Sequence, residues 1–234
     1  MLEYDEPAPT ADDPQAITPR VVLIDTGPDF HAQAIRENIT RVDAVLYTHP
    51  HADHILGMDD LRPLSFKNPD GIPLYADLAT SETIKRVFDY TFRTADRYPT
   101  SARVHLKPLP EGPEEFHVYS TKFQKIPVTH GRNIISGFRL GSMAYLTDMS
   151  DISEQSMALL GDLDILILDA LRREPHPSHA HLAKSISLAN KIAPKQAYFT
   201  HISHDLDHNA VNSELPANMR LAHDGLKLNF QLYL

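Results

Sequence analysis

The sequence predicts one α/β (α+β) domain in which two mixed β-sheets carry helices on their outer faces. The chain has 234 residues, of which 42% are apolar, and this suffices for one large buried core. Short apolar runs that end in polar residues recur along the chain and indicate buried strands, and stretches with helical periodicity lie between many of them. Because no repeat, linker or low-complexity tract interrupts this pattern, we expect a single domain at 21–234.

An irregular arm is predicted for residues 1–20. This segment carries four prolines and five acidic residues and has little hydrophobic periodicity. The first strand of the domain is therefore expected only after it.

The start of the domain predicts a βαβ unit. The apolar runs "RVVLIDTG" (20–27) and "VDAVLYTH" (42–49) are typical of buried strands, and "PDFHAQAIREN" between them is typical of a helix with proline near its first position. Because a helical connection of about a dozen residues joins the two strands, we predict that they are parallel neighbours.

The later elements are predicted in the same way. Helices are expected at "DDLRPL", at "SETIKRVFDYTF", at 151–160 and at 180–193. Strands are expected at "IPLYA" (72–76), "FHVYSTKFQKIPVTHG", "LDILILDA" (163–170), "KQAYFTHIS" and "LKLNFQLYL". The segment "ISGFRLGSMAYLTDMS" predicts a hairpin that turns near Gly141.

Composition excludes several classes of protein. Cysteine is absent from the sequence, which excludes disulfide frameworks, thiolate zinc sites and cysteine nucleophiles. The formal net charge of −9 disfavours a general binder of nucleic-acid polymers. The first residues lack the basic start and apolar core of a signal peptide, and no apolar run of about 18 residues follows. We therefore expect a cytoplasmic protein with neither nucleic acid nor membrane as partner, and leave open whether it forms a homodimer.

The stretch "THPHADHILG" (48–57) places three histidines and an aspartate within six positions. His49 ends a predicted strand and His51 follows two residues later, so both imidazoles can point the same way in an extended segment. Asp53 and His54 follow where the chain is predicted to turn into a helix. A lone histidine at a strand end usually bonds to backbone or water, but four imidazole and carboxylate donors at this spacing predict a site for zinc, manganese or iron.

Three later strand ends carry further candidate ligands. His130 follows "PVT", Asp148 follows "AYLT" and His201 follows "YFT". Each is weak evidence alone, because strand ends commonly carry polar residues. As an ordered series after the first motif, they predict ligands for a second metal.

This order, His-x-His-x-Asp-His followed by His, Asp and His, resembles the metallo-β-lactamase superfamily. The resemblance runs from about residue 21 to the end of the sequence and implies an αββα sandwich with two divalent metal ions, zinc or manganese, at the rim between its sheets. It implies that the first metal is held by His49, His51 and His130. It implies that the second metal is held by Asp53, His54 and His201, and that Asp148 bridges the two.

The segment "HADHILGMDDLRPL" resembles, within that superfamily, the PhnP-type phosphodiesterases, which open a cyclic phosphate of phosphoribose. "THISHDLDH" and "LAHDGLKL" share the likeness. It implies a small phosphorylated substrate, a cyclic phosphodiester or nucleotide-like molecule, attacked by a hydroxide that bridges the metals. It implies catalytic roles for Asp53, also a ligand, and for His179 in "HPSHAHL" (176–182), which would be the general acid ahead of His181 and His176. His179 or Ser178 can equally cap the helix that follows.

The chain departs from this family at its start and in its lack of cysteine. Relatives begin with a strand that leads into a "GTGTS"-like loop, so the acidic arm implies that the usual first strand is missing or replaced. Relatives also hold a structural zinc with cysteines and a late histidine, and His204 is therefore not expected to bind zinc in that way. Asp25 and Asp169 are candidates either for orienting the ligand histidines or for capping strand ends.

Other functions on the same scaffold stay open. They are a thioesterase of the glyoxalase II type, a lactonase and a tRNA-end-processing nuclease; the negative charge and the lack of a long RNA-grasping insertion disfavour the nuclease. A non-catalytic, metal-stabilised binding domain is the alternative from a different class, and the full ligand set disfavours it. The sequence assigns no substrate-binding residue.

Overall fold

The computed structural model of the chain describes residues 1–8, 13, 15–96 and 98–232. Its strands are β1 (Leu2–Pro7), β2 (Ile17–Ile24), β3 (Ala44–Leu46), β4 (Ile72–Ala76), β5 (Val104–Pro108), β6 (Glu115–Val118), β7 (Thr121–His130), β8 (Asn133–Leu140), β9 (Met143–Leu146), β10 (Ile165–Asp169), β11 (Gln196–Thr200) and β12 (Met219–Leu221). Its α-helices are α1 (Phe30–Arg36), α2 (Ala52–Ile55), α3 (Arg62–Ser65), α4 (Leu78–Val87), α5 (Asp89–Phe92), α6 (Glu154–Met157), α7 (Leu182–Ile192) and α8 (His208–Glu214), and 3₁₀ turns occupy Leu56–Leu61 and Ala158–Leu160.

The chain divides into two compact units. The first comprises Met1–Glu111 with His117–Thr121, and the second comprises Gly112–Phe116 with Lys122–Leu234. The prediction of one domain at 21–234 does not anticipate this division.

The first unit is built on a five-stranded sheet with the order β1-β2-β3-β4-β5. β1 is antiparallel to β2, and the remaining neighbours are parallel, as the predicted βαβ unit requires. Alternate residues of β4, Ile72 and Leu74, are fully buried in one core cluster with Ile84 of α4. This alternation places the apolar side chains of β4 on the sheet face that the helices cover.

The second unit is built on a seven-stranded sheet with the order β12-β11-β10-β9-β8-β7-β6. The strands β9, β10, β11 and β12 are parallel to one another. The pairs β7–β8 and β8–β9 are antiparallel. The β8–β9 hairpin confirms the turn predicted near Gly141. Leu188 of α7 and Val211 of α8 lie in one core cluster with Leu168 and Phe199 of the sheet. Two mixed sheets with helices therefore confirm the predicted fold class.

The prediction for residues 1–20 is wrong where the structure describes them. Leu2–Pro7 form β1 and β2 begins at Ile17, so a strand precedes the one that the sequence indicated. Glu6 is buried and accepts hydrogen bonds from Arg20 (2.5 Å) and Thr121 (2.8 Å). The acidic residue that suggested an exposed arm is thus a structural ion-pair partner; residues 9–12 and 14 lie outside the described part.

The end of the chain also differs from its prediction. The segment "LKLNFQLYL" was expected to form the last strand, but residues 226–232 form none, and residues 233–234 lie outside the described part. The last strand is instead β12, which pairs with β11. Among the helices that the structure describes, none has the length and apolar character needed to cross a membrane.

Candidate metal centre

The four donors of the first motif lie at the carboxyl end of β3 and in the helix that follows. His49 and His54 are buried, whereas His51, which precedes α2, and Asp53 in its first turn are exposed. His49 Nε2 lies 3.0 Å from His51 Nδ1, and the rings of His49 and His54 have centroids 4.1 Å apart. His54 Nε2 lies 3.3 Å from Asp53 Oδ2.

These separations fit ligands of a common cation. Two ligand atoms that each lie about 2.1 Å from a zinc ion, at an angle of about 90 to 110°, are about 3.0 to 3.4 Å apart. Both the His49–His51 and the Asp53–His54 pairs fall in this range. The predicted four-donor cluster is therefore present within the first unit, with two donors buried and two open to solvent.

A buried hydrogen-bond network holds the two buried histidines in place. Asp25 accepts from the Thr48 backbone N–H and from the Thr48 hydroxyl, both at 2.8 Å, and pairs with His54 Nδ1 at 2.7 Å. The Thr48 hydroxyl lies 2.9 Å from His49 Nδ1. A carboxylate only accepts hydrogen bonds, so His54 Nδ1 carries the proton in its bond to Asp25. The Thr48 hydroxyl gives its own proton to Asp25 and therefore accepts one from His49 Nδ1. Both Nε2 atoms are then left with a lone pair that can bind a metal. Asp25 thus contacts a histidine of the motif, which is one of the two roles expected for it, whereas Thr48 carried no signal in the sequence.

Glycine allows the helix to approach this network closely. The Thr26 backbone N–H donates to the His54 carbonyl (2.8 Å), and the Gly57 N–H donates to the Thr26 carbonyl (2.9 Å). A Cβ on Gly27 would lie 2.7 Å from the Asp53 carbonyl oxygen, and a Cβ on Gly57 would collide with the Gly27 carbonyl oxygen. The glycines of "DTG" and "ILGMDD" therefore permit the β2–α1 loop to pack on α2.

The second unit brings the later candidates together at the carboxyl ends of β7, β9 and β11. Asp148 is 1% exposed; its Oδ2 lies 3.2 Å from His201 Nε2, and its Oδ1 accepts from the Thr147 hydroxyl at 2.7 Å. His130 is buried, and its Nδ1 donates to the Ser178 carbonyl at 2.9 Å. This bond places the proton of His130 on Nδ1 and leaves a lone pair on Nε2 that can bind a metal.

His179 lies in the same cluster as these candidates. Its Nδ1 is 3.0 Å from an oxygen of Asp169, which is fully buried, and its ring stacks on that of His201 with centroids 4.7 Å apart. The ring of His130 meets it edge-on at 4.7 Å. Donor atoms of His130, Asp148 and His179 lie within 4.8 Å of one another, as do those of Asp169, His179 and His201. Asp169 is thus within hydrogen-bond distance of His179, whereas its Oδ1 lies farther, 3.7 Å, from His201 Nδ1.

The other histidines of this region are less engaged. His176 has its ring 5.1 Å from that of His179, and desolvation, followed by the charge of His179, holds the pKa of His176 below its ordinary value. His181 precedes α7 without capping it through its side chain. His204 has a 96% exposed side chain and belongs to none of the donor groups found among the described residues. The alternative role of His179 as a helix cap is wrong, because the residue that precedes α7 is His181.

Three of these acidic and imidazole residues have left-handed backbone conformations. The φ angles are 59° at Asp25, 55° at Asp148 and 56° at His201. Positive φ is uncommon outside glycine and concentrates at functional sites. In each case the chain turns sharply just after a strand, which brings the side chain to the sheet end.

Comparison with known proteins places these features in context. A family model for the β-lactamase superfamily domain matches residues 20–202. A solved diphosphatase from the PhnP family has a TM-score of 0.84 and is 50% identical, with 92% of this chain and 82% of that chain covered. Zn²⁺-bound PqqB from Methylobacterium extorquens shares the fold, with a TM-score of 0.66, 21% identity, and coverage of 90% and 83%. An octanoyltransferase of Porphyromonas gingivalis (strain ATCC BAA-308 / W83) is 34% identical over 209 residues, which are 88% of this chain but 42% of that protein, so the chain spans about two fifths of this relative's length.

Proposed function

Since this chain belongs to the PhnP family of the β-lactamase superfamily, we propose that it is a binuclear metal-dependent hydrolase that cleaves a small phosphodiester. The same membership confirms the predicted metallo-β-lactamase fold. The observation that carries the proposal is the 50% identity to a PhnP-family diphosphatase over most of both chains.

The donor sets in the two units support the dependence on metal. The first unit contributes His49, His51, Asp53 and His54, and the second contributes His130, Asp148 and His201. In our proposal these seven residues would hold the metal ions, as the family resemblance implies. Their nitrogen and carboxylate donors suit zinc or manganese.

Two bound divalent cations would supply Lewis-acid stabilisation of phosphoryl oxygens and lower the pKa of a bound water. The protein's own residues orient the histidine rings that would bind these cations. Asp25 and Thr48 hold the His54 and His49 rings with Nε2 outward, and the Ser178 carbonyl does the same for His130. This preorganisation fixes the donors before substrate arrives.

His179 is proposed as the general acid that donates a proton to the leaving oxygen. Its Nδ1 is engaged with buried Asp169, so Nε2 is the atom that would carry and deliver the proton. Its side chain is 12% exposed, which leaves it shielded from bulk water. Asp53 would act both as a metal ligand and as a catalytic residue, and its side chain, 59% exposed, is accessible to a substrate.

The substrate class extends to diphosphates. The PhnP-family relative is named a diphosphatase, and a diphosphate also undergoes attack at phosphorus with an oxygen leaving group. We therefore propose small phosphodiesters and nucleotide-like diphosphates as the substrates to test, without a nucleic-acid polymer or a membrane as partner and with a cytoplasmic location.

Metal analysis and parallel substrates test the proposal. We expect two divalent cations per chain and hydrolysis of bis(p-nitrophenyl) phosphate, with loss of turnover in Asp148→Asn. Asp151→Asn is a matched control, because Asp151 pairs with Lys184 at 3.2 Å and belongs to none of the donor groups among the described residues. A chain that carries two metals yet leaves phosphodiesters and diphosphates intact would contradict the proposal.

His179→Ala gives a second, independent test. We expect unchanged metal content, slower hydrolysis of diesters with poor leaving groups, and little effect on p-nitrophenyl esters, because a good leaving group needs no proton. His204→Ala is the control, since that side chain is exposed. An unchanged rate with a poor leaving group would remove His179 from the mechanism.

A thioesterase is the second candidate. The relative named an octanoyltransferase shares 34% identity with this chain, and octanoyl transfer concerns an acyl group rather than a phosphate. The match covers 42% of that protein, so its name describes a molecule more than twice as long as the aligned part. Rapid hydrolysis of an octanoyl thioester beside inert phosphodiesters would favour this candidate; a lactone tested in parallel distinguishes a lactonase.

A further inference from the structure

The first unit contains a cavity that the metal donors do not line. Its volume is about 790 Å³, and small-molecule sites occupy about 300 to 1,000 Å³. Every lining residue belongs to the first unit. The lining includes Val42 and Asp43, which precede β3, whereas His49 follows β3. The cavity and the metal donors are therefore two separate features of one sheet.

Part of the cavity is formed by side chains of β4 and β5 that point away from the helix-covered core, and Leu64 of α3 lines it as well. On β4 and β5, the cross-strand pairs Pro73–His105 and Tyr75–Lys107 line it. Their neighbours in the strands, including Leu74, point to the helix-covered core. Because side chains alternate between faces, these two pairs form a small platform with a lysine beside a tyrosine ring.

The lining is richer in positive charge than the chain as a whole. It contains four cationic side chains and two carboxylates, in a chain whose net charge is −9. The four cations are Arg20, Arg41, Lys67 and Lys107, and the carboxylates are Asp43 and Asp70.

Asp43 is already neutralised by the protein. It accepts hydrogen bonds from Arg41 at 2.9 and 2.6 Å and from the Val21 backbone N–H at 2.8 Å. Lys107 is exposed, and its side chain makes no hydrogen bond or salt bridge with any residue that the structure describes. Lys67 uses one donor, to the Thr40 carbonyl at 3.2 Å, and an ammonium group has three. The two lysines thus retain donor capacity toward an anion.

The lining also offers an aromatic surface and a neutral imidazole. The Arg20 guanidinium lies 3.7 Å from the centroid of the Tyr119 ring, and Tyr119 is nevertheless 40% exposed. Desolvation, followed by the charge of Lys107, lowers the pKa of His105 against the opposing charge of Asp70, and this favours the neutral imidazole over the cation. Charged donors beside a planar ring suit a ligand with a phosphate and a planar base.

We infer that this cavity binds a small organic phosphate of nucleotide size, with the phosphates at Lys67 and Lys107 and the base at Tyr119. Phosphate fits better than a single carboxylate, because it presents several acceptor oxygens to two separate ammonium groups. The site lies apart from the metal donors and does not depend on the hydrolase activity.

Calorimetric titration of the full chain with α,β-methylene-ADP tests the inference, because this analogue has no cleavable bridging oxygen. We expect binding that weakens about tenfold in Lys107→Ala and again in the Lys67→Ala/Lys107→Ala double variant, the loss expected when a charge-assisted hydrogen bond is removed. Lys85→Ala, at an exposed lysine of α4 outside the cavity, should bind as the parent does.

Two further titrations separate this site from the metal donors and test its aromatic part. His49→Ala removes a metal donor and should therefore lose only binding of the analogue at the metal donors, while it retains the binding step that Lys107→Ala weakens. Inorganic pyrophosphate should bind the cavity of the parent more weakly than α,β-methylene-ADP. Absence of binding at millimolar ligand, equal affinity in Lys107→Ala, or loss of that binding step in His49→Ala would each overturn the inference. Equal affinity for pyrophosphate would overturn the role of Tyr119.

Discussion

The hydroxyl of Thr48 offers a sharp test of how the first donor set is held. Thr48 is fully buried and its hydroxyl joins two groups, donating to Asp25 Oδ2 at 2.8 Å and lying 2.9 Å from His49 Nδ1. Thr48→Val keeps the side-chain shape and removes this link. The hydrogen bond to the charged carboxylate contributes about 1.5 to 3 kcal/mol. Loss of a group that orients a ligand histidine lowers metal affinity about 10- to 100-fold.

We therefore expect Thr48→Val to lower the free energy of unfolding of the metal-free chain by about 2 kcal/mol. We also expect a zinc dissociation constant raised by at least tenfold, measured by competition with a chromophoric chelator. Thr48→Ser is the matched control: it keeps the hydroxyl and loses a methyl group, at about 1 kcal/mol, and should bind zinc as the parent does. Equal zinc affinity in the Val and Ser variants would refute the orienting role of the hydroxyl.

Three further predictions concern packing, pH and metal. Gly57→Ala should lower the free energy of unfolding in urea by about 3 kcal/mol, because the new Cβ collides with the Gly27 carbonyl and approaches Phe30 Cβ to 2.8 Å; Gly161→Ala, which meets no atom within 4 Å, should cost far less. Desolvation raises the pKa of Glu6, but hydrogen bonds, first from Arg20, outweigh it and hold this pKa below the ordinary value. Because the pKa of Glu6 is lower in the folded chain than in the unfolded chain, ionised Glu6 stabilises the fold at pH values above its ordinary pKa, and this stabilisation is lost as the pH falls through the folded pKa. Glu6→Gln should therefore lower the free energy of unfolding by about 2 kcal/mol at pH 7 and by progressively less in acid. A loss of stability that does not depend on pH would contradict this prediction. Chelation should lower the unfolding temperature and abolish hydrolysis, both restored by adding zinc or manganese, and unchanged melting would argue against bound metal.

The strand ends were predictable because their signals are local. An apolar run that ends in His or Asp indicates both a buried strand and a polar group at the sheet edge. The strands β3, β7, β9 and β11 lie where these runs predicted them, although β3 ends three residues before His49 and β9 two residues before Asp148. The side chains that hold the donors were only partly predictable. Asp25 could be proposed from "LIDTG", whereas Thr48 contacts Asp25 across a gap of 23 residues and a threonine carries no such signal.

Three strands were not predicted, β1, β5 and β12, and they are short or charged. β5 reads "VHLKP", in which His105 and Lys107 interrupt the apolar residues. β12 has three residues, too few for a periodic pattern. β1 reads "LEYDEP", and its acidic residues suggested exposure, but an edge strand tolerates charge and the buried Glu6 has the partly buried Arg20 as its partner. All three form by pairing with segments distant in sequence, which hydrophobic periodicity cannot detect.

The left-handed backbone at Asp25, Asp148 and His201 restricts which side chains evolution or a designer can place there. Asp, Asn, His and Gly enter this conformation more readily than β-branched or bulky residues. A change at Asp148 to valine or threonine would thus strain the turn as well as remove the carboxylate, while asparagine alters the charge alone. Backbone geometry therefore narrows the set of side chains that fit at these three positions, including the proposed ligands Asp148 and His201, before any preference of a metal applies.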